Sequence, residues 1–114
     1  MLSIDALKNY GADVETGLKR CVNKPELYLR LVKMVPGNAG FKQLQEAVES
    51  SDLEKAFSAA HGLKGICGNL SLDPLSKPVE EITELLRAKK EMDYEPLLKE
   101  ILAQRDTLEA LCAE

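Results

Sequence analysis

His61 is the only histidine in this chain of 114 residues, and it lies in the stretch Ala59-Ala60-His61-Gly62-Leu63-Lys64-Gly65-Ile66-Cys67-Gly68-Asn69-Leu70. Imidazole, with an ordinary pKa of about 6.5, is substantially neutral near neutral pH and is then a competent nucleophile. Such a ring can attack a phosphoryl group, hold it through an N–P bond, and pass it on. The ammonium group of Lys64, three residues further along, would offset the negative charge of the phosphoryl group as it arrives and departs. The stretch has the pattern of a helix, yet Gly62, Gly65 and Gly68 fall within seven residues of it. Each glycine costs a helix interior about 1 kcal/mol relative to alanine. A helix that keeps such poor formers around one titratable side chain suggests that something must approach its backbone closely.

The element that positions His61 is amphipathic. At about 100° per residue, Leu53, Ala56, Ala60, Leu63, Cys67 and Leu70 share one side, the core side, with Phe57 at its edge. His61 points away from the centre of that stripe. Glu54, Ser58, Lys64, Gly65 and Gly68 lie within about 60° of its direction. The imidazole is therefore flanked by an ammonium group and by a strip of helix without side chains. Gly62 lies off that strip, toward the neighbouring side. On this face Ser58, Gly68 and Phe57 are the candidates for docking a partner.

Other chemistries find little support. No serine or cysteine is paired with His61 and an acid as a hydrolase would need, and one histidine without a Glu-x-x-His pair falls short of a di-metal bundle site. Neither GxxxxGK[ST] nor GxGxxG occurs, so no loop is built to cradle a nucleotide, and no metal or cofactor is expected on this chain. Cys21, Cys67 and Cys112 are odd in number and lack CxxC spacing, which suits reduced, mostly buried thiols. The net charge of −4 comes without a basic block to track phosphates, which argues against nucleic acid as a partner. No apolar run approaches the roughly 20 residues that span a bilayer. The N-terminus, Met1-Leu2-Ser3-Ile4-Asp5, lacks the basic start and apolar run of a signal peptide. A cytoplasmic protein with no membrane partner is expected.

The hydrophobic fraction of 45% is enough for one core, and no linker or repeat divides residues 1–114. The periodicity is helical almost throughout. Leu2 to Tyr10 suits a short first helix, and Asp13 to Cys21 a second. Pro25 suits the first turn of a helix running through Leu27, Leu31 and Val35. Residues 36–40 break the chain, and Phe41 to Ser50 follows. Ser51-Asp52-Leu53-Glu54 reads as a capping box, with Ser51 as cap of the His61 helix. Asp73 is the expected cap of the next helix, with Pro74 in its first turn. Pro78 either kinks that helix or moves its start nearer Ser76. Asp93 opens the last. Four longer helices joined by short turns point to an all-α fold, an antiparallel up-and-down four-helix bundle, with two short N-terminal segments covering one end. The leucine stripes are its core, and Glu80-Glu81, Lys89-Lys90 and Lys99-Glu100 are solvated faces.

The residues also carry a family resemblance. His61-Gly62-Leu63-Lys64-Gly65 fits the H-x-L-K-G motif of histidine-containing phosphotransfer (HPt) domains. The likeness extends to Ala60, to Gly68-Asn69-Leu70 and to Leu75-Ser76-Lys77. Upstream, Gly17-Leu18 and the segment from Glu26 to Leu31 resemble the N-terminal part of bacterial members. The resemblance implies a phosphocarrier without its own ATP site, working in a two-component phosphorelay. His61 would be phosphorylated through Nε2, Lys64 would stabilise the phosphoryl group, and Gly65 would give a partner room. The implied partners are response-regulator receiver domains and a hybrid histidine kinase, with Mg²⁺ supplied by the receiver. Two positions depart from the family pattern: Ser71 stands where glycine is common, and Ile82-Thr83 where Leu-Glu is common. Members also tend to present a polar side chain from the following helix toward the histidine, and Thr83 and Arg87 are the candidates. The chain begins at a methionine and reads as self-contained, so a free-standing, monomeric carrier is expected rather than a piece of a larger kinase. A different class is a bundle that binds a receiver or kinase only as a scaffold or inhibitor; intact His61, Lys64 and Gly65 speak against it.

Overall fold

The computed structural model describes residues 2–113, and the described residues form seven helices and no strand. They are α1 (Ile4–Tyr10), α2 (Val14–Arg20), α3 (Pro25–Met34), α4 (Ala39–Glu49), α5 (Leu53–Asn69), α6 (Asp73–Arg87) and α7 (Glu95–Ala113). Three short helices precede α4, at the places where the apolar spacing predicts them. The breaks between them are local: Gly11 takes φ 109 after α1, and the Cys21–Lys24 turn breaks the chain again before Pro25. Among the longer helices, α4 packs on α5, α5 on α6, α6 on α7, and α7 returns to α4. The core between them holds Phe41, Leu44, Leu63, Cys67, Leu75, Val79, Ile82, Leu98, Ile101 and Leu108.

The N-terminal helices are tied to the junction between α5 and α6. The Asp13 amide donates to the Ser71 carbonyl at 2.9 Å, and the Tyr28 hydroxyl donates to the Leu70 carbonyl at 2.8 Å. Tyr28 is fully buried and fills the space beside Gly17, where a Cβ would lie 2.6 Å from the ring. At the other end of α1, the Tyr10 hydroxyl donates to the Gln104 carbonyl of α7 at 3.3 Å.

Two expectations about helix ends are corrected. The cap of α5 is Asp52, whose carboxylate accepts from the Lys55 amide at 3.1 Å; Ser51 lies one residue outside, in the left-handed region at φ 56. The cap hydrogen bond is thus made one residue later than the capping box requires. The N-cap of α6 is Leu72, and Asp73 is its first helical residue, where its charge still complements the positive end of the helix. Pro78 does not move the start of α6, which begins at Asp73 and continues through Pro78 to Arg87. A proline inside a helix costs about 3 kcal/mol, and here burial of Leu75, Pro78, Val79, Ile82 and Leu86 on one face offsets it.

Candidate functional site

His61 lies midway along α5, on its exposed side, two turns before the helix ends. The core side of α5 is Ala56, Ala59, Ala60, Leu63 and Cys67, all buried. Alanine at 56, 59 and 60 lets α4 and α6 approach closely, which leaves the opposite face as the only surface of this stretch open to solvent. The ring of His61 packs on that of Phe57, with centroids 5.7 Å apart and planes tilted by 37°. Phe57 is itself half-buried at the edge of the core.

The glycines around this ring have no packing role inside the chain. A Cβ built at Gly62, Gly65 or Gly68 would meet no atom within 4 Å. Gly17 and Gly40, by contrast, are pressed by Tyr28 and Leu63. Gly62, which the wheel puts off the His61 strip, is as open as the other two. His61, Lys64, Gly65 and Gly68 share a shallow recess of about 300 Å³ with Asn69, Arg20 and Glu80. Ser58 is not part of it: it is exposed but lines a different recess, with Gln43, Glu46 and Lys55 on the side of α4.

The second wall of the site comes from α6. The Lys64 ammonium lies 3.5 Å from the Glu84 carboxylate, and Nε of Arg87 donates to the same carboxylate at 3.2 Å. The Arg87 guanidinium then lies over the Phe57 ring, 5.2 Å from its centroid. These contacts run in series from the histidine: His61 to Phe57, Phe57 to Arg87, Arg87 to Glu84, Glu84 to Lys64. The hydrogen bond from Arg87 leads in holding the Glu84 carboxyl below its usual range, with the charges of Arg87 and Lys64 acting in the same direction. Of the two side chains considered for facing the histidine, Thr83 is fully buried and its hydroxyl donates to the Val79 carbonyl at 2.6 Å within its own helix. Arg87 reaches the neighbourhood, by way of Phe57.

Arg20, Glu80 and Glu84 were not marked by the sequence. Glu80, Glu84 and Arg87 recur at helical spacing on the polar side of α6, a pattern that is readable, but it does not say which neighbour that side meets. Arg20 comes from α2, and its guanidinium donates to the carbonyl of Gly68, 48 residues further along. No local pattern anticipates such a contact. Among the described residues no group of three or more His, Cys, Asp or Glu is placed to hold a metal ion, and no helix is long and apolar enough to cross a membrane. Cys67 is buried, and burial pushes its thiol up to about 12, so it is no ready nucleophile.

Among the described residues, which are mostly helical, the exposed histidine has a lysine one turn on and open backbone beside it. A family model described as Hpt domain matches residues 38–114, well over half of the chain, and the chain belongs to that family. Hpt domains are helical bundles that carry phosphoryl groups in two-component phosphorelays, and they are not ATP-binding kinases. The matched part runs from the start of α4 to the C-terminus, so the helices that supply Arg20 and Tyr28 precede it. Neither a curated protein nor a solved structure matches the chain.

Proposed function

We propose that His61 is the phosphoryl-accepting and phosphoryl-donating residue of this chain, exchanging the group with aspartates of response-regulator receiver domains. The observation that carries this reading is the open space at Gly62, Gly65 and Gly68 around the one exposed imidazole. Nothing within the chain requires those side chains to be missing, and an incoming active site does. In the transfer step, the lone pair of Nε2 attacks phosphorus while the acyl-phosphate O–P bond breaks. The aspartate leaves as a carboxylate, and the proton on Nδ1 stays on the ring. Lys64 provides the positive charge that the phosphoryl oxygens meet. Mg²⁺ and the acidic pocket that binds it belong to the receiver, and a hybrid histidine kinase stands upstream of the relay.

The four longer helices form the antiparallel up-and-down bundle in this reading, supported by the closed order of their contacts, α4 to α5 to α6 to α7 and back to α4. Gly65 and Gly68 admit the receiver, and Phe57 offers it an apolar edge. Replacing His61 with glutamine tests the proposal. Glutamine keeps a polar side chain on an exposed helical position, so receiver binding should persist while labelling is lost. Labelling of the variant at the native level would overturn the assignment.

A further inference from the structure

The motif lysine is already engaged. Its ammonium group is paired with Glu84 across the α5–α6 groove at 3.5 Å, and Glu84 is anchored by Arg87, which rests on Phe57. The Lys64 side chain is 38% exposed against 56% for Glu84, so the pair borders on solvent and can exchange partners. A phosphoryl group on His61 would carry about two negative charges and would sit one helical turn from Lys64 on the same face. Glu84 and the phosphoryl group are therefore competitors for one ammonium group.

We infer that Glu84 is a positioning residue that holds Lys64 away from the phosphoryl site in the unphosphorylated chain and gives it up as the imidazole gains its phosphoryl group. This rests on His61 being the carrier. Holding Lys64 aside has two consequences. The unmodified site attracts anions less than its lysine alone would, and the phosphorylated state must break the Lys64–Glu84 pair to gain the Lys64–phosphoryl contact. Glu84 thereby sets how readily His61 is loaded. Arg87 keeps Glu84 in place: it donates to the same carboxylate and is itself held by the aromatic ring. Glu80, which lines the recess one turn before Glu84, has no lysine partner among the contacts of the described residues and adds a fixed negative charge.

Phosphoramidate, a small donor that needs no receiver, tests this. The Nε2 lone pair attacks its phosphorus, the P–N bond breaks and ammonia leaves, so the rate reads the site alone. The full chain is compared as native, Glu84→Gln, Lys64→Gln and the double variant, with helix content and thermal midpoint checked for each. Exposed ion pairs of this kind support effects of about two- to fivefold. The second-order rate constant for labelling is expected to rise by that factor in Glu84→Gln, and the rise is expected to be largely absent when Lys64 is already glutamine. An unchanged rate in Glu84→Gln would overturn the inference. So would an equal rise in the Lys64→Gln background, which would mean a general relief of negative charge with no part for Lys64. If the native chain takes no label from phosphoramidate or from any charged receiver, the carrier reading fails, a result separate from either of these.

Discussion

Glycine at 62, 65 and 68 weakens a long helix, and the open space beside each position means that no internal contact is gained in return. Stability and transfer should therefore separate at these residues. Gly65→Ala and Gly68→Ala each add a Cβ to a solvent-facing helical position and are expected to stabilise the fold by up to about 1 kcal/mol in urea unfolding. The same changes place a methyl group where a receiver must come close, and transfer from a charged receiver should fall by about tenfold or more, since displacements on the order of 1 Å suffice for large losses. Labelling by phosphoramidate should stay near native. Destabilisation by either variant would mean that the glycines serve the chain itself. At this scale the sequence was informative about His61, Lys64 and Gly65, because a single helix brings them together and its periodicity is written in consecutive residues. It was silent about Glu84 as the partner of Lys64, since that pairing depends on how α6 is rotated against α5. Ser58, within reach of His61 on the wheel, is exposed and borders the groove toward α4.

Elements meet at positions where the backbone is forced. Gly17 lies against Tyr28 so closely that a Cβ would stand 2.6 Å from the ring. Gly17→Ala should cost about 1–3 kcal/mol in urea unfolding, the range for overpacking a filled site, while leaving phosphoramidate labelling of the folded fraction intact. The turn between α5 and α6 holds Ser71 at φ 54, a region where side chains are strained and glycine is at ease. That accounts for the glycine common at this place in the family. Ser71→Gly is expected to stabilise the chain by about 0.5–1 kcal/mol, measured the same way, because the carbonyl that accepts from Asp13 is kept. Helix existence was legible from apolar spacing, and helix ends were less so. Ser51 and Asp52 are both good caps, as are Leu72's neighbour Asp73 and Ser76 beyond it. Which one serves depends on backbone angles that composition does not determine. Asp52→Ala should cost about 1 kcal/mol, and Ser51→Ala much less.

For the whole molecule, the closed order of helix contacts buries one thiol in the last turn of α5. The Cys67 pKa is raised in the fold, so the folded state resists ionisation there. Its contribution is fully present below the unfolded thiol pKa of about 8.5 and is lost as pH rises from there toward about 12. The thermal midpoint should therefore decline above about pH 8.5, and decline less in Cys67→Ala; parallel curves would exclude this origin. The exposed side of α5 was deducible from its own sequence, as were the core residues. The attachment of α1 to α3 at the α5–α6 junction was not, since it rests on Arg20, Asp13 and Tyr28 reaching backbone carbonyls some 40 to 60 residues away.

In the proposed function one imidazole carries the phosphoryl group. The most direct measurement is transfer to the native chain and to His61→Gln from an acetyl-phosphate-charged receiver domain with Mg²⁺, following phosphate that is lost in acid and retained in base. Label is expected on the native chain and none on the variant, with both binding the receiver. Equal label on both, or binding without label on the native chain across several receivers, would contradict it.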